Sequence, residues 1–169
     1  MAEMQKKIEL LQKIAHRFNE ANVEWALGAS MLLYFKGIVS EVHDIDLMVS
    51  IRDAELVREI LSEMGELHPA NPISNPMYRT KVFMEFTIAS VDIDVMAGFA
   101  IVNEGKIYDC SLYKEQIVER MTLGTEIIPL QSPILWCKYY RLMGRNEKAD
   151  LIEEIYGKQL FKSGKRRRR

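Results

Sequence analysis

ALGASMLLYFKGIVSEVHDIDLMVS, from Ala26 to Ser50, decides how this chain is read, and VDIDVM, from Val91 to Met96, supplies the other half of the same feature. A turn of small residues, Gly28, Ala29 and Ser30, precedes two aspartates one residue apart, Asp44 and Asp46. Ile45, Leu47 and Val49 alternate with Asp44, Asp46 and Met48. That period of two predicts a strand with both carboxylates on one face. In VDIDVM, Asp92 and Asp94 share a face in the same way. Aspartate is a poor strand former, so two pairs flanked by Ile, Leu and Val call for a reason. Like charges so placed repel, share a proton or take up a cation.

Working outward, VEWAL (Val23 to Leu27) reads as a strand entering Gly28, and Ser30 as the cap of a helix that continues through MLLYFK to Gly37. Upstream, Ile8, Leu11, Ile14, Ala15 and Phe18 recur at helical spacing between Glu3 and Asn19. Downstream, Ala54, Leu56, Val57, Ile60, Leu61 and Met64 predict a second amphipathic helix over Arg52 to Met64, ended by Gly65. HPANPISNP (His68 to Pro76) is a loop, and its length suggests a rim or lid. Lys81 to Ala89 and Val91 to Ala97 read as consecutive strands joined near Ser90, GKIYDC as a further strand, and Leu112 to Arg120 as a short helix. TEIIPLQSP gives one more strand. Ser132 then caps a helix with Pro133 in its first turn, ending near Gly144, and EKADLIEEIYGKQL forms the last helix.

Composition excludes several classes. Hydrophobic residues at 48% and charged residues at 28% are ordinary globular values for a chain of 169 residues. No apolar run approaches the ~20 residues of a bilayer span, and the start lacks a signal-peptide core, so a soluble cytoplasmic protein with no membrane partner is expected. Cys110 and Cys137 have neither zinc-ligand spacing nor the pattern of a disulfide framework, and are expected reduced. The net charge of -1 hides an asymmetry, since Lys165 to Arg169 hold five of the 23 basic residues. The acidic remainder does not suit a nucleic-acid surface; the basic tail is either a contact for nucleic acid or an acidic partner, or a disordered end.

Paired carboxylates suit one chemistry well. Two magnesium ions so bound can hold a triphosphate and activate a hydroxyl for in-line attack on phosphorus. The small residues Gly28, Ala29 and Ser30 at a strand-to-helix junction would let backbone approach phosphate oxygens. His43 is either a metal or phosphate contact or a plain loop histidine. Lys36 either reaches phosphate or ends its helix, Arg141 reads as a solvated position, and Trp136, Tyr139 and Tyr140 read as core.

A Gly-x-Ser turn opening a helix, then Asp-x-Asp on a strand, then a further strand carboxylate, resembles the DNA polymerase beta-like nucleotidyltransferase superfamily. The likeness extends to its small bacterial members, the aminoglycoside and lincosamide nucleotidyltransferases. SPILWCKYYRLMGRNEKADL (Ser132 to Leu151) is similar to the helix pair that follows the catalytic sheet there, with Lys138, Arg145, Lys148 and Asp150 as the matching residues. The resemblance implies an α+β fold, a mixed twisted sheet flanked by helices with a short C-terminal helical pair. It implies a catalytic domain at 1–130 and a helical segment packed on it at 131–160, and the charge pattern leaves 161–169 as a basic tail.

The implied activity is transfer of a nucleoside monophosphate from a nucleoside triphosphate to a hydroxyl of a small molecule, releasing pyrophosphate. The resemblance gives Asp44 and Asp46 as ligands of both magnesium ions and Asp94 as the third carboxylate and proton acceptor, with Asp92 as its alternative. Gly28, Ala29 and Ser30 would hold the terminal phosphates, and Lys138 would add countercharge. The short helical portion leaves room for only a small acceptor, or for a homodimer that completes the pocket. The other class left open is a binding or regulatory protein, antitoxin-like, that keeps the fold without turnover.

Overall fold

Hydrophobic alternation in the strands and helical stripes between them build a mixed sheet covered by helices. The computed structural model describes residues 2–167, and side chains from 2 to 157. In chain order the elements are α1 (Ala2–Glu20), β1 (Trp25–Gly28), α2 (Ala29–Phe35), β2 (Asp44–Val49), α3 (Ala54–Met64), β3 (Glu66–Leu67), β4 (Val82–Ile88) and β5 (Val91–Ala97). They continue with β6 (Ala100–Asn103), β7 (Lys106–Asp109), β8 (Glu119–Leu123), β9 (Glu126–Leu130), α4 (Pro133–Leu142) and α5 (Asn146–Arg167). Seven strands form one sheet in the order β3-β4-β5-β2-β1-β9-β8, and β6 and β7 make a separate hairpin. The β2–β5 and β1–β9 pairs are parallel and the others antiparallel. This is the α+β architecture that the sequence predicts.

The core follows the predicted stripes. Leu10, Leu11, Ile14, Ala15 and Phe18 of α1 are buried, as are Val57, Ile60 and Leu61 of α3 and Ile45, Leu47 and Val49 of β2. Phe18 meets Trp25 edge-on at 5.4 Å between ring centroids. Asn19 fixes α1 at both ends of that contact: its amide oxygen accepts from Trp25 Nε1 at 3.0 Å and its Nδ2 donates to the Ile127 carbonyl at 2.9 Å. Cys110 and Cys137 are both free and buried.

The start of α3 depends on one carboxylate. Asp53 accepts from the Glu24 N–H at 2.8 Å and the Ser50 hydroxyl at 3.0 Å, tying β1 to the turn after β2. Burial opposes its ionisation, but the hydrogen bonds from Arg52, Glu24 and Ser50 outweigh that and hold its pKa below the usual value. A lowered acid stabilises the fold above its unfolded pKa and stops doing so as pH falls through its folded one. Asp53→Ala is therefore expected to cost ~1–3 kcal/mol at pH 7, since it orphans two donors. In urea titrations the gap to wild type should narrow as pH falls below the ordinary carboxylate value.

Two local expectations are corrected. Ser30 is not the cap of α2: Gly28 occupies that position, no side-chain bond caps the helix, and Ser30 is buried in its first turn. The helix expected over Leu112 to Arg120 is only a single 3₁₀ turn at Lys114–Gln116, followed by β8. There Gly124, at φ +63°, turns the chain so that Glu119–Leu123 pairs with β9, and pairing with an existing strand outweighs local helix propensity. Of the two readings of Lys36, the structure has it ending its helix: it is the C-cap of α2, with its ammonium paired with Glu119 of β8. Between β4 and β5, Ala89 and Ser90 both take positive φ, +51° and +65°, the conformation of a tight two-residue hairpin. Ser132 caps α4 as predicted, accepting from the Ile134 N–H at 3.1 Å, with Pro133 in the first turn.

Candidate active site

The parallel pairing of β2 with β5 brings the two aspartate motifs together. Asp44 lies beside Asp92 and Asp46 beside Asp94 in register, at the ~4.8 Å spacing of adjacent strands. On the other side of β2, Asp46 is the register partner of Gly28, and on the far side of β5, Asp94 is that of Glu85. One row across four strands therefore reads Glu85, Asp94, Asp46, Gly28. The hydrophobic halves of the same strands, Ile45, Leu47, Ile93 and Val95, are buried on the opposite face.

Above this row lies a cavity of about 820 Å³, within the size range of small-molecule sites. Ala29, Ser30, Asp44, Asp46 and Asp94 line it, as do His43, Arg145 and Lys148. The predicted rim is there too: His68 to Asn71 and Ile73 to Asn75 border the opening. Asp92 is exposed and accepts from the Thr87 hydroxyl at 3.0 Å, whereas Asp94 faces the cavity. Of the two, Asp94 lines the cavity and Asp92 does not. Lys138 is exposed on α4 and does not line the cavity; its charge acts on Cys110 instead. The cations that do face the carboxylates are Arg145, the residue before α5, and Lys148 in the first turn of α5. Both belong to the matched C-terminal pattern, but their spacing alone does not say which face meets the sheet.

The glycine turn is shaped by packing. Gly28 carries no side chain because a Cβ there would stand 2.6 Å from Trp136 Cζ2. The indole cannot easily yield: it is buried, stacked on Phe99 at 6.1 Å, and donates through Nε1 to Gln131 Oε1 at 2.7 Å. Ala29 then takes φ +51°, an uncommon left-handed conformation for a residue with a Cβ. Strain of that kind is found at sites where a backbone must present itself in one way.

Electrostatically the row is under tension. Burial raises the pKa of Asp46 well above the usual carboxylate value, with the charges of Asp94 and Asp44 adding and those of Lys148 and Arg145 opposing. Asp94 is pushed up to about 7, by burial first and then by Asp44, Glu85 and Asp92. Asp44 is raised by burial and by Asp92, with His43 and Lys7 opposing. Lys148 is lowered, by burial first and then by Arg145, while Asp46 and Asp44 pull the other way. No hydrogen bond contributes to the balance at Asp44, Asp46 or Asp94. Among the described residues no three His, Cys, Asp or Glu side chains already surround a point that could hold an ion. The donor set itself, hard oxygens without other partners on adjacent strands, fits a divalent cation that draws the rest of its shell from phosphate and water.

Comparison with solved structures agrees with this construction. A protein of Thermotoga maritima described as a candidate nucleotidyltransferase superposes with a TM-score of 0.67 at 21% identity, over 91% of this chain and 94% of that one. The chain has the nucleotidyltransferase fold. The same fold is shared with ANT(2'')-Ia, solved in complex with adenylyl-2''-tobramycin, at a TM-score of 0.62 and 12% identity over 94% of each chain. The lincosamide antibiotic adenylyltransferase LnuA, solved with lincomycin, matches at 0.55 and 14% identity over 86% of this chain and 95% of that one. No protein-family model and no curated protein matches the sequence. At these identities it is the fold that is shared, and the chemistry has to be argued from the site. No described helix is long and apolar enough to cross a membrane. The basic run from Lys165 lies beyond the described side chains, so the reading of 161–169 as a tail falls outside them.

Proposed function

We propose that the protein transfers a nucleoside monophosphate from a nucleoside triphosphate to a hydroxyl group of a small molecule. The observation that carries this reading is the row of unpartnered carboxylates, Asp94 and Asp46 with Asp44, beside the Gly28–Ala29–Ser30 turn and facing Arg145 and Lys148 across one cavity. The likeness in fold to adenylyltransferases solved with an adenylylated product and with an antibiotic acceptor supports it.

In this reading the acceptor hydroxyl oxygen forms a bond to the α-phosphorus while the bond from that phosphorus to the bridging oxygen breaks and pyrophosphate leaves. Asp94 is the proton acceptor, since it stands in register beside Asp46 in the cavity wall, next to where the acceptor hydroxyl would enter. Ser30 and the backbone of the turn hold the leaving phosphates, and Arg145 and Lys148 face the charge that develops on them. Asp44, Asp46 and Asp94 would hold two magnesium ions, whose contribution when bound is to neutralise phosphate charge and lower the pKa of the attacking hydroxyl.

The acceptor end lies past Asp94. There Glu85 is followed on the cavity face of β4 by Phe83, half exposed, with Ile73 and Leu67 at the rim. Phe83, Ile73 and Leu67 beside Asn71, Ser74 and Asn75 suit a hydroxyl compound with one apolar face. Calorimetric titration of nucleoside triphosphates should give binding that requires magnesium, and pyrophosphate release should appear with an acceptor library. Absence of magnesium-dependent binding would overturn the reading. Binding without release across the library would favour the regulatory alternative.

A further inference from the structure

Among the described residues two buried side-chain polar atoms have no hydrogen-bond partner, Gln131 Nε2 and the Tyr140 hydroxyl. Tyr140 is 1% exposed, yet its side chain is part of the cavity wall that holds Ser30, Asp46 and Lys148. A buried hydroxyl without a partner is costly to keep. Nothing prevents phenylalanine from filling the same volume, so the oxygen itself calls for an explanation. The ring is held between neighbours. Lys148 Nζ sits over its face, 5.5 Å from the centroid, and the Trp136 ring packs on it at 5.5 Å.

The matching half of the pair is Asp46. Its carboxylate has no donor, and its charge acts on the phenol: the Tyr140 pKa is raised by burial first and by Asp46 second. A donor without an acceptor and an acceptor without a donor thus stand in the wall of one cavity, linked through Trp136, which packs on Tyr140 and closes on Gly28, the register partner of Asp46.

We propose that Tyr140 is a positioning residue for Asp46, its O–H donating to the carboxylate when that group holds a divalent cation and so fixing its orientation. This rests on the reading of Asp46 as a metal ligand. Groups behind a ligand that orient it in this way typically change metal affinity by ~10–100-fold when removed. In the free protein the bond is not made, so the hydroxyl contributes nothing to the stability of that state.

Thermal melts and calorimetry of wild type and Tyr140→Phe, free and with Mn²⁺, test this without reference to turnover. Expected are a free-state Tm for Tyr140→Phe equal to or above that of wild type, and an Mn²⁺ affinity about tenfold weaker. An equal Mn²⁺ affinity in the two proteins overturns the role of Tyr140 and leaves the metal site standing. A lower free-state Tm for the variant also overturns it, since the hydroxyl would then be bonded before any cation arrives. No Mn²⁺ binding by wild type removes the metal reading and this inference with it.

Discussion

Asp46→Asn should abolish magnesium-dependent nucleotide binding and at the same time make the metal-free protein more stable at pH 8. The two effects have one cause. Asp46 stands in register between Gly28 and Asp94, and burial together with Asp94 and Asp44 raises its pKa. An acid whose folded pKa is raised binds more protons in the folded state than in the unfolded one, so stability falls as pH rises through the interval between the two values. For Asp94 that interval runs from 3.8 to about 7. Metal-free wild type should accordingly lose Tm between pH 5 and pH 8, and Asp46→Asn should lose less. A gain of ~1 kcal/mol at pH 8 corresponds to about 2–4 °C in a chain of this size. Magnesium with nucleotide should raise the Tm of wild type and leave the variant unmoved. A variant that is less stable than metal-free wild type at pH 8 would show that the carboxylates are not in conflict.

Gly28→Ala, the smallest possible addition, is expected to be among the most damaging substitutions in the chain. The new methyl would lie 2.6 Å from Trp136 Cζ2 and 2.9 Å from Cε2. The indole is 2% exposed, bonded to Gln131 and packed on Phe99, Tyr139 and Tyr140. Overpacking of such a core costs ~1–3 kcal/mol. Relief has to come from moving β1 against α4, which separates the turn and Asp46 from the wall that carries Tyr140. Nucleotide affinity should therefore fall together with stability. Gly28→Ala combined with Trp136→Phe should recover part of the Tm, because the shorter ring lacks the atoms that clash. A Gly28→Ala protein as stable as wild type in urea would show that the indole yields freely.

Much of the site is legible in the chain because strand alternation is a local property. The spacing of Asp44 and Asp46 among Ile45, Leu47 and Val49 places both carboxylates on one face whatever the sheet order. The same holds for Asp92 and Asp94. Ser132 and Pro133 mark the start of α4 through capping chemistry, which also needs no tertiary context. Leu112 to Arg120 shows the opposite case. Its composition tolerates a helix, and the turn at Gly124 together with β9 makes part of it a strand. Lys138 is instructive for the same reason. Helix periodicity says which residues share a face, but not which face meets the sheet, and on α4 that face carries Trp136 and Tyr140 while Lys138 points away from the cavity.

By itself the sequence determined the strand that carries Asp44 and Asp46, the small-residue turn before it and the α+β character of the chain, since each follows from alternation or turn chemistry within a few residues. Only the tertiary structure decided that Asp94 rather than Asp92 faces the cavity, that Arg145 and Lys148 supply its positive charge, and that Trp136 dictates a glycine at position 28. Those outcomes depend on strand order, register and helix rotation, which are fixed by packing between segments far apart in the chain.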